Sequence, residues 1–144
     1  MKKKVLFLCT GNSCRSQMAE GWLRHLAGDQ FDVVSAGTHP VGLNPYAVAV
    51  MQEANVDISN HVSERVDPYL EQQFDYVITV CDRAHETCPI FPAASTRLHW
   101  SFDDPAKAKG TFEQQLIVFR KIRDEIAERI RHFIAGILRP PYPS

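Results

Sequence analysis

The chain has 144 residues, 44% of them hydrophobic and 23% charged, with a formal net charge of −1. That length suits one domain with a sizeable core, and the interleaved charges argue against a nucleic-acid or membrane surface. The start, MKKK followed by the apolar run from Val5 to Cys9, imitates a secretory leader, but the run falls short of the roughly 7–15 apolar residues a leader needs, and no stretch approaches the ~18 of a membrane span. A cytoplasmic chain is expected, and there the four cysteines, Cys9, Cys14, Cys81 and Cys88, do chemistry, bind metal or sit inertly in the core.

Val5-Leu6-Phe7-Leu8 is an unbroken apolar run, as expected of a strand buried on both faces. A glycine-containing loop follows. From Ser16, SQMAEGWLRHLAG then predicts a helix, with Met18, Ala19, Trp22, Leu23 and Leu26 near helical spacing and Gly28 as its stop. FDVVSAG, residues 31–37, is a second strand. Asn44-Pro45 supplies an N-cap and a proline at the first helical position, opening the helix YAVAVMQEA. FDYVITVC at 74–81 and TRLHW at 96–100 are a third and a fourth strand. Thr111-x-x-Gln114 has the form of a capping box. Behind it Phe112, Leu116, Phe119, Ile122, Ile126, Ile130, Phe133 and Ile137 step by three or four along a long amphipathic helix. The Pro-rich end, about 137–144, reads as a flexible tail.

Strands alternate with helices without repeat or linker. The expected fold is a single α/β domain over 1–144, an open parallel four-stranded sheet flanked by helices. Ligands of such sheets bind at the carboxyl ends of the strands. The first strand ends at Cys9 and the third at Cys81, so both thiols are expected to face one crevice.

The loop between the first strand and first helix reads Cys9-Thr10-Gly11-Asn12-Ser13-Cys14-Arg15-Ser16. Backbone N–H groups at a helix N-terminus, together with the helix dipole, favour an anion. Gly11 suits a tight backbone, and Asn12 tolerates a left-handed turn. Arg15 adds a planar fork of donors that matches a tetrahedral oxyanion. The same field is expected to lower the pKa of Cys9, with Ser13 and Ser16 able to donate hydrogen bonds to it. A nucleophile at the base of an anion cradle is a device for in-line attack. The plainer alternative is a strand-terminal cysteine followed by a Gly-Asn turn and a surface arginine.

CTGNSCRSQMAEGW, residues 9–22, resembles the active-site loop of the low-molecular-weight tyrosine phosphatase fold, and more closely that of the thioredoxin-coupled arsenate reductases built on it. The resemblance continues through SAG (35–37), NP (44–45), DISNH (57–61), the Cys81/Cys88 pair and HW-x-FDDPA (99–106). It implies an arsenate reductase with Cys9 as nucleophile, Arg15 and the loop residues Thr10 to Cys14 binding arsenate, Ser16 supporting the Cys9 thiolate and Asp104 as proton donor to the leaving oxygen. An Asp-Pro turn without chemistry is the alternative at Asp104. Phosphatases of this fold usually follow the Asp-Pro with tyrosines, whereas Ala106-Lys107 stands here.

Arsenate reduction takes two electrons, and two thiols closing a disulfide supply two. In the implied relay Cys81 attacks the Cys9 adduct, and Cys88 then attacks Cys81. Seven helical residues span about 10.5 Å, and a disulfide needs Cα atoms within roughly 7 Å, so 81–88 is expected to be a loop or loose helix that rearranges on oxidation. Two alternatives stand beside the relay: a zinc site at Cys81-x3-His85-x2-Cys88, or buried structural cysteines. Cys14 reads as a loop-lining thiol. His25, His39, His61, His99 and His132 read as surface or packing residues.

The resemblance also implies thioredoxin as reductant, with glutaredoxin and glutathione as the other thiol source, and a monomer with no organic cofactor. It admits a potassium ion at Asn12, Glu20, Ser35 and Glu64, where the family's residue at the last position is aspartate. The rival functions are a small protein-tyrosine phosphatase and a non-catalytic oxyanion-binding or redox-sensing module.

Overall fold

The computed structural model describes residues 2–81 and 96–138. Four strands, β1 (Lys3–Cys9), β2 (Phe31–Gly37), β3 (Tyr76–Thr79) and β4 (Thr96–His99), form one sheet in the order β2-β1-β3-β4. Every pairing is parallel. β1 lies in the middle because it is the most apolar run. Val5, Leu6, Phe7 and Leu8 are fully buried, covered on both faces of the sheet.

Among the described residues, three helices pack on this sheet: α1 (Arg15–Ala27), α2 (Pro45–Glu53) and α3 (Phe112–Leu138). α2 starts as its sequence dictates, the Asn44 side chain accepting from the Tyr46 and Ala47 N–H groups with proline behind it. The capping box of α3 closes reciprocally: Thr111 N–H donates to Gln114 Oε1, and Gln114 N–H to Thr111 Oγ1. Leu116, Phe119, Ile122, Ile126 and Ile130 of its apolar stripe are buried, and Phe133 packs on Trp100 and Tyr76. Truncating one of these isoleucines to alanine costs about 2–5 kcal/mol.

Two expected boundaries move. β3 is shorter than 74–81. At its start the Asp75 carboxylate accepts the Lys4 N–H in place of a backbone carbonyl. At its end the Val80 N–H still reaches Leu8 O, which leaves Cys81 just beyond the strand, over the crevice. α3 holds its turns through Leu138, into the stretch expected to be tail. The last residues, 139–144, and the segment 82–95 lie outside the described residues.

Candidate active site

The loop from Cys9 to Arg15 turns the chain from the end of β1 into α1, at the carboxyl edge of the sheet. Its shape is fixed by Asn12, whose φ of 47° lies in the left-handed region. The side chain of Asn12 is fully buried, and all its hydrogen-bonding capacity is used. Nδ2 donates to Ser16 Oγ at 2.9 Å and Ser35 Oγ at 3.0 Å, and Oδ1 accepts from the Glu64 N–H at 2.8 Å and Gln17 Nε2 at 3.1 Å. A Cβ at Gly11 would stand 3.1 Å from Cγ2 of the exposed Val41, a contact that a small shift of that side chain relieves. Gly37, at the end of β2, lies so close under the loop that a Cβ would be 2.6 Å from Thr10 O.

Inside the cradle, Arg15 projects a mostly buried guanidinium. Nη1 donates to Phe102 O at 3.0 Å, and Nη2 lies 3.6 Å from Asp104 Oδ2. Its Nε is buried and has no hydrogen-bond partner among the described residues, a donor suited to an oxyanion oxygen. Asp104 caps the short turn Pro105–Lys107, its Oδ1 accepting the Ala106 N–H, while its Oδ2 faces Arg15.

Cys9 and Cys81 are both buried as thiols, 4% and 3% exposed, and they hydrogen-bond to each other. Two cysteines far apart in the chain are thus brought to one crevice. The Thr10 hydroxyl lies 3.4 Å from Cys81 Sγ. The Cys9 pKa is not lowered, as the loop alone suggested, but raised. The hydrogen bond with Cys81 is the largest cause and burial the next, and together they outweigh Arg15 and the Thr10 N–H, which favour the thiolate. Neither serine is seen bonding Cys9: Ser16 Oγ accepts from Asn12 Nδ2 at 2.9 Å, and Ser13 Oγ lies 3.6 Å from Cys14 Sγ. Burial pushes the Cys14 thiol up to about 11. Cys88 and His85 lie outside the described residues, as does the expected rearrangement of 81–88.

Behind the loop is a polar nest that the sequence only half disclosed. Glu20, Ser35 and Glu64 line one cavity of about 250 Å³ together with Arg24, His61 and Tyr69. Ser35 donates to Glu20 Oε1 at 2.6 Å, Arg24 Nη2 meets Glu20 Oε2 at 2.8 Å, and the Tyr69 hydroxyl donates to Glu64. The residues named for potassium do not form a four-ligand cage here. The oxygen of Asn12 is already filled by two donors, and the charge of Glu20 is answered by Arg24. Gln17, Arg24, His61 and Tyr69 are the members that sequence reasoning missed. The one available signal was Gln17 itself, an amide in the helix's first turn beside Met18 and Ala19 of the apolar face.

Residues 4–140 match the model of the low molecular weight phosphotyrosine protein phosphatase family. An arsenate reductase of Halalkalibacterium halodurans is 53% identical over 132 residues, covering 92% of this chain and 95% of its own. A solved arsenate reductase in the phosphate binding state superposes with a TM-score of 0.77 at 34% identity, over 94% of this chain and 98% of that one. The thioredoxin-dependent arsenate reductase of Corynebacterium glutamicum superposes with a TM-score of 0.73 at 30% identity, over 94% of this chain and 62% of its own.

Proposed function

The chain belongs to the low-molecular-weight phosphotyrosine protein phosphatase family and, within it, to the arsenate reductases, and we propose that it reduces arsenate to arsenite through Cys9, Cys81 and Cys88 in turn. Arsenate enters the cradle against the loop N–H groups, the open Nε of Arg15 and the dipole of α1. The sulfur of Cys9 attacks arsenic, an As–O bond breaks, and the oxygen leaves as water with the proton of the Cys9 thiol, passed on by Asp104. Cys81 then attacks the sulfur of Cys9. The S–As bond pair stays with arsenic, which departs as arsenite, and a Cys9–Cys81 disulfide remains. Cys88 attacks Cys81, frees Cys9 and carries the oxidation outward as Cys81–Cys88. An external dithiol reduces that bond. The printed dependence of the C. glutamicum relative makes thioredoxin the first reductant to supply, and glutaredoxin with glutathione the second. Such thiols work in the reducing cytoplasm.

The observation that carries this reading is the second buried thiol, hydrogen-bonded to the first inside an anion cradle. A hydrolase has no step for it. Because the cradle itself is common to both reactions, slow hydrolysis of an aryl phosphate is expected alongside.

The test is arsenate-dependent NADPH oxidation with thioredoxin and thioredoxin reductase. Wild type should turn over repeatedly, Cys88→Ser should stop after about one equivalent, and Cys9→Ser should bind phosphate without turnover. Brisk aryl phosphate hydrolysis with no arsenate turnover under either reductant would replace the proposal by the phosphatase. Anion binding without either reaction would leave the binding module.

A further inference from the structure

Gln17 is fully buried in the first turn of α1, and its amide faces the underside of the anion loop. Its Nε2 lies 3.1 Å from each of three oxygens, Asn12 O, Asn12 Oδ1 and Val62 O. Three acceptors around one atom identify it as the nitrogen, so the other amide atom is the acceptor. His61 Nδ1 stands 2.9 Å from that oxygen and must therefore carry a proton. The far side of the ring meets Arg24 Nη1 at 3.4 Å and Glu20 Oε2 at 3.7 Å. One side chain thus joins the left-handed residue of the cradle to the segment 61–66. That segment touches the loop twice more, through the Glu64 N–H on Asn12 and the Ser63 hydroxyl on Gly11 O.

We propose that Gln17 is a positioning residue for the oxyanion. It holds Asn12 in its left-handed turn from behind, and His61 fixes the orientation of its amide. The physical need is specific. A non-glycine residue at positive φ costs free energy, and an anion loop made of backbone N–H groups binds only when all of them converge. Asn12 keeps that conformation because its own carbonyl and its side-chain oxygen are both held by Gln17. Burial, ahead of the opposing pull of Glu20, keeps the His61 pKa below its ordinary value, so the ring stays neutral near pH 7 and its Nε2 can accept from Arg24. Gln17 touches no reacting atom and acts through Asn12.

The proposal rests on the loop being the arsenate cradle, and the experiment separates the two. In the full chain, Gln17→Met keeps length and volume and removes the amide. Inorganic phosphate binding is measured by titration calorimetry, and arsenate reduction by initial rates. If the convergent loop falls to about a tenth of the population, the apparent Kd for phosphate and the KM for arsenate both rise about tenfold. The kcat stays within about twofold, because a bound anion reassembles the loop at saturation. A residue that only stabilised the fold would lower Tm and leave phosphate affinity unchanged. His61→Asn keeps an N–H donor for Gln17 and should bind phosphate like wild type, whereas His61→Ala should bind about threefold more weakly.

A folded Gln17→Met with phosphate affinity within about twofold of wild type, or with kcat lost at constant KM, overturns the proposal. If Gln17→Met does not fold, the two His61 variants decide, and equal affinities overturn it. If wild type itself binds no phosphate and reduces no arsenate, the cradle reading fails and this proposal falls with it.

Discussion

Alkaline pH should weaken the fold through Cys14, by an amount that can be worked out. The unfolded thiol titrates at 9.0 and the folded one at about 11, chiefly because the side chain is buried, with Asp104 adding to the effect and Ser13 and Arg15 opposing it. An acid whose pKa rises on folding holds its proton longer in the folded state. Its contribution is complete below pH 9 and is lost as pH climbs through about 11. A difference of two pH units corresponds to roughly 3 kcal/mol, lost progressively over that interval. Cys9 shifts in the same direction and steepens the decline. The assay is urea unfolding under reducing conditions, in steps from pH 8 to pH 11, on wild type and Cys14→Ala. The variant loses some packing at every pH, which displaces its curve without tilting it. Between pH 9 and 11 its stability should fall less steeply than that of wild type. Parallel curves over that interval would refute the reasoning.

Three further outcomes are expected. Arg15→Lys keeps the charge but loses the planar fork and the bond to Phe102 O, so kcat/KM for arsenate should fall about 100-fold, and a loss under about threefold would remove Arg15 from substrate binding. Cys81→Ala removes the largest influence holding the Cys9 pKa up, so Cys9 should be alkylated by iodoacetamide faster at pH 7 than in wild type; peptide mass spectrometry reads the rate at Cys9, and equal rates would contradict the assignment. Replacing potassium chloride by sodium chloride should leave kcat/KM within about twofold, because Arg24 already answers Glu20; a clear rise of Tm with potassium alone would show that the nest takes the ion after all.

What could be read from the sequence was whatever depends on neighbours along the chain. The run Val5–Leu8 announced a central strand, Asn44-Pro45 announced a helix start, and Asn12 announced a left-handed turn, because each is a property of residue type and local spacing. The resemblance supplied Asp104, which the structure brings to Arg15. The nest behind the loop was closed to this kind of reading. Gln17 and His61 are 44 positions apart, and neither has a spacing that predicts the other. By local spacing alone His61 reads as a surface or packing residue. The direction of the Cys9 pKa was missed for a related reason. Helix terminus and arginine are visible in the loop, but the thiol that outweighs them arrives from the end of β3.

That misjudged direction favours one chemistry over the other. A phosphatase nucleophile gains from every influence that lowers its pKa, and Arg15 and the Thr10 N–H supply such influences. Placing a second buried thiol in contact with it works the other way, since two neighbouring thiols cannot both ionise cheaply and this contact is the largest cause raising the Cys9 pKa. In a hydrolase that contact is a pure loss of nucleophile. In a reductase the same contact is the next step: once Cys9 has bonded to arsenic, its sulfur is the electrophile, and the neighbouring thiol already lies within reach of it. The loss is also temporary. With the substrate bound, the Cys9 proton leaves through Asp104 with the departing oxygen, so the nucleophile is released. The raised pKa of Cys9 is therefore the cost of keeping the second reactant beside the first, and it ties the burial of Cys81 to a two-thiol reaction.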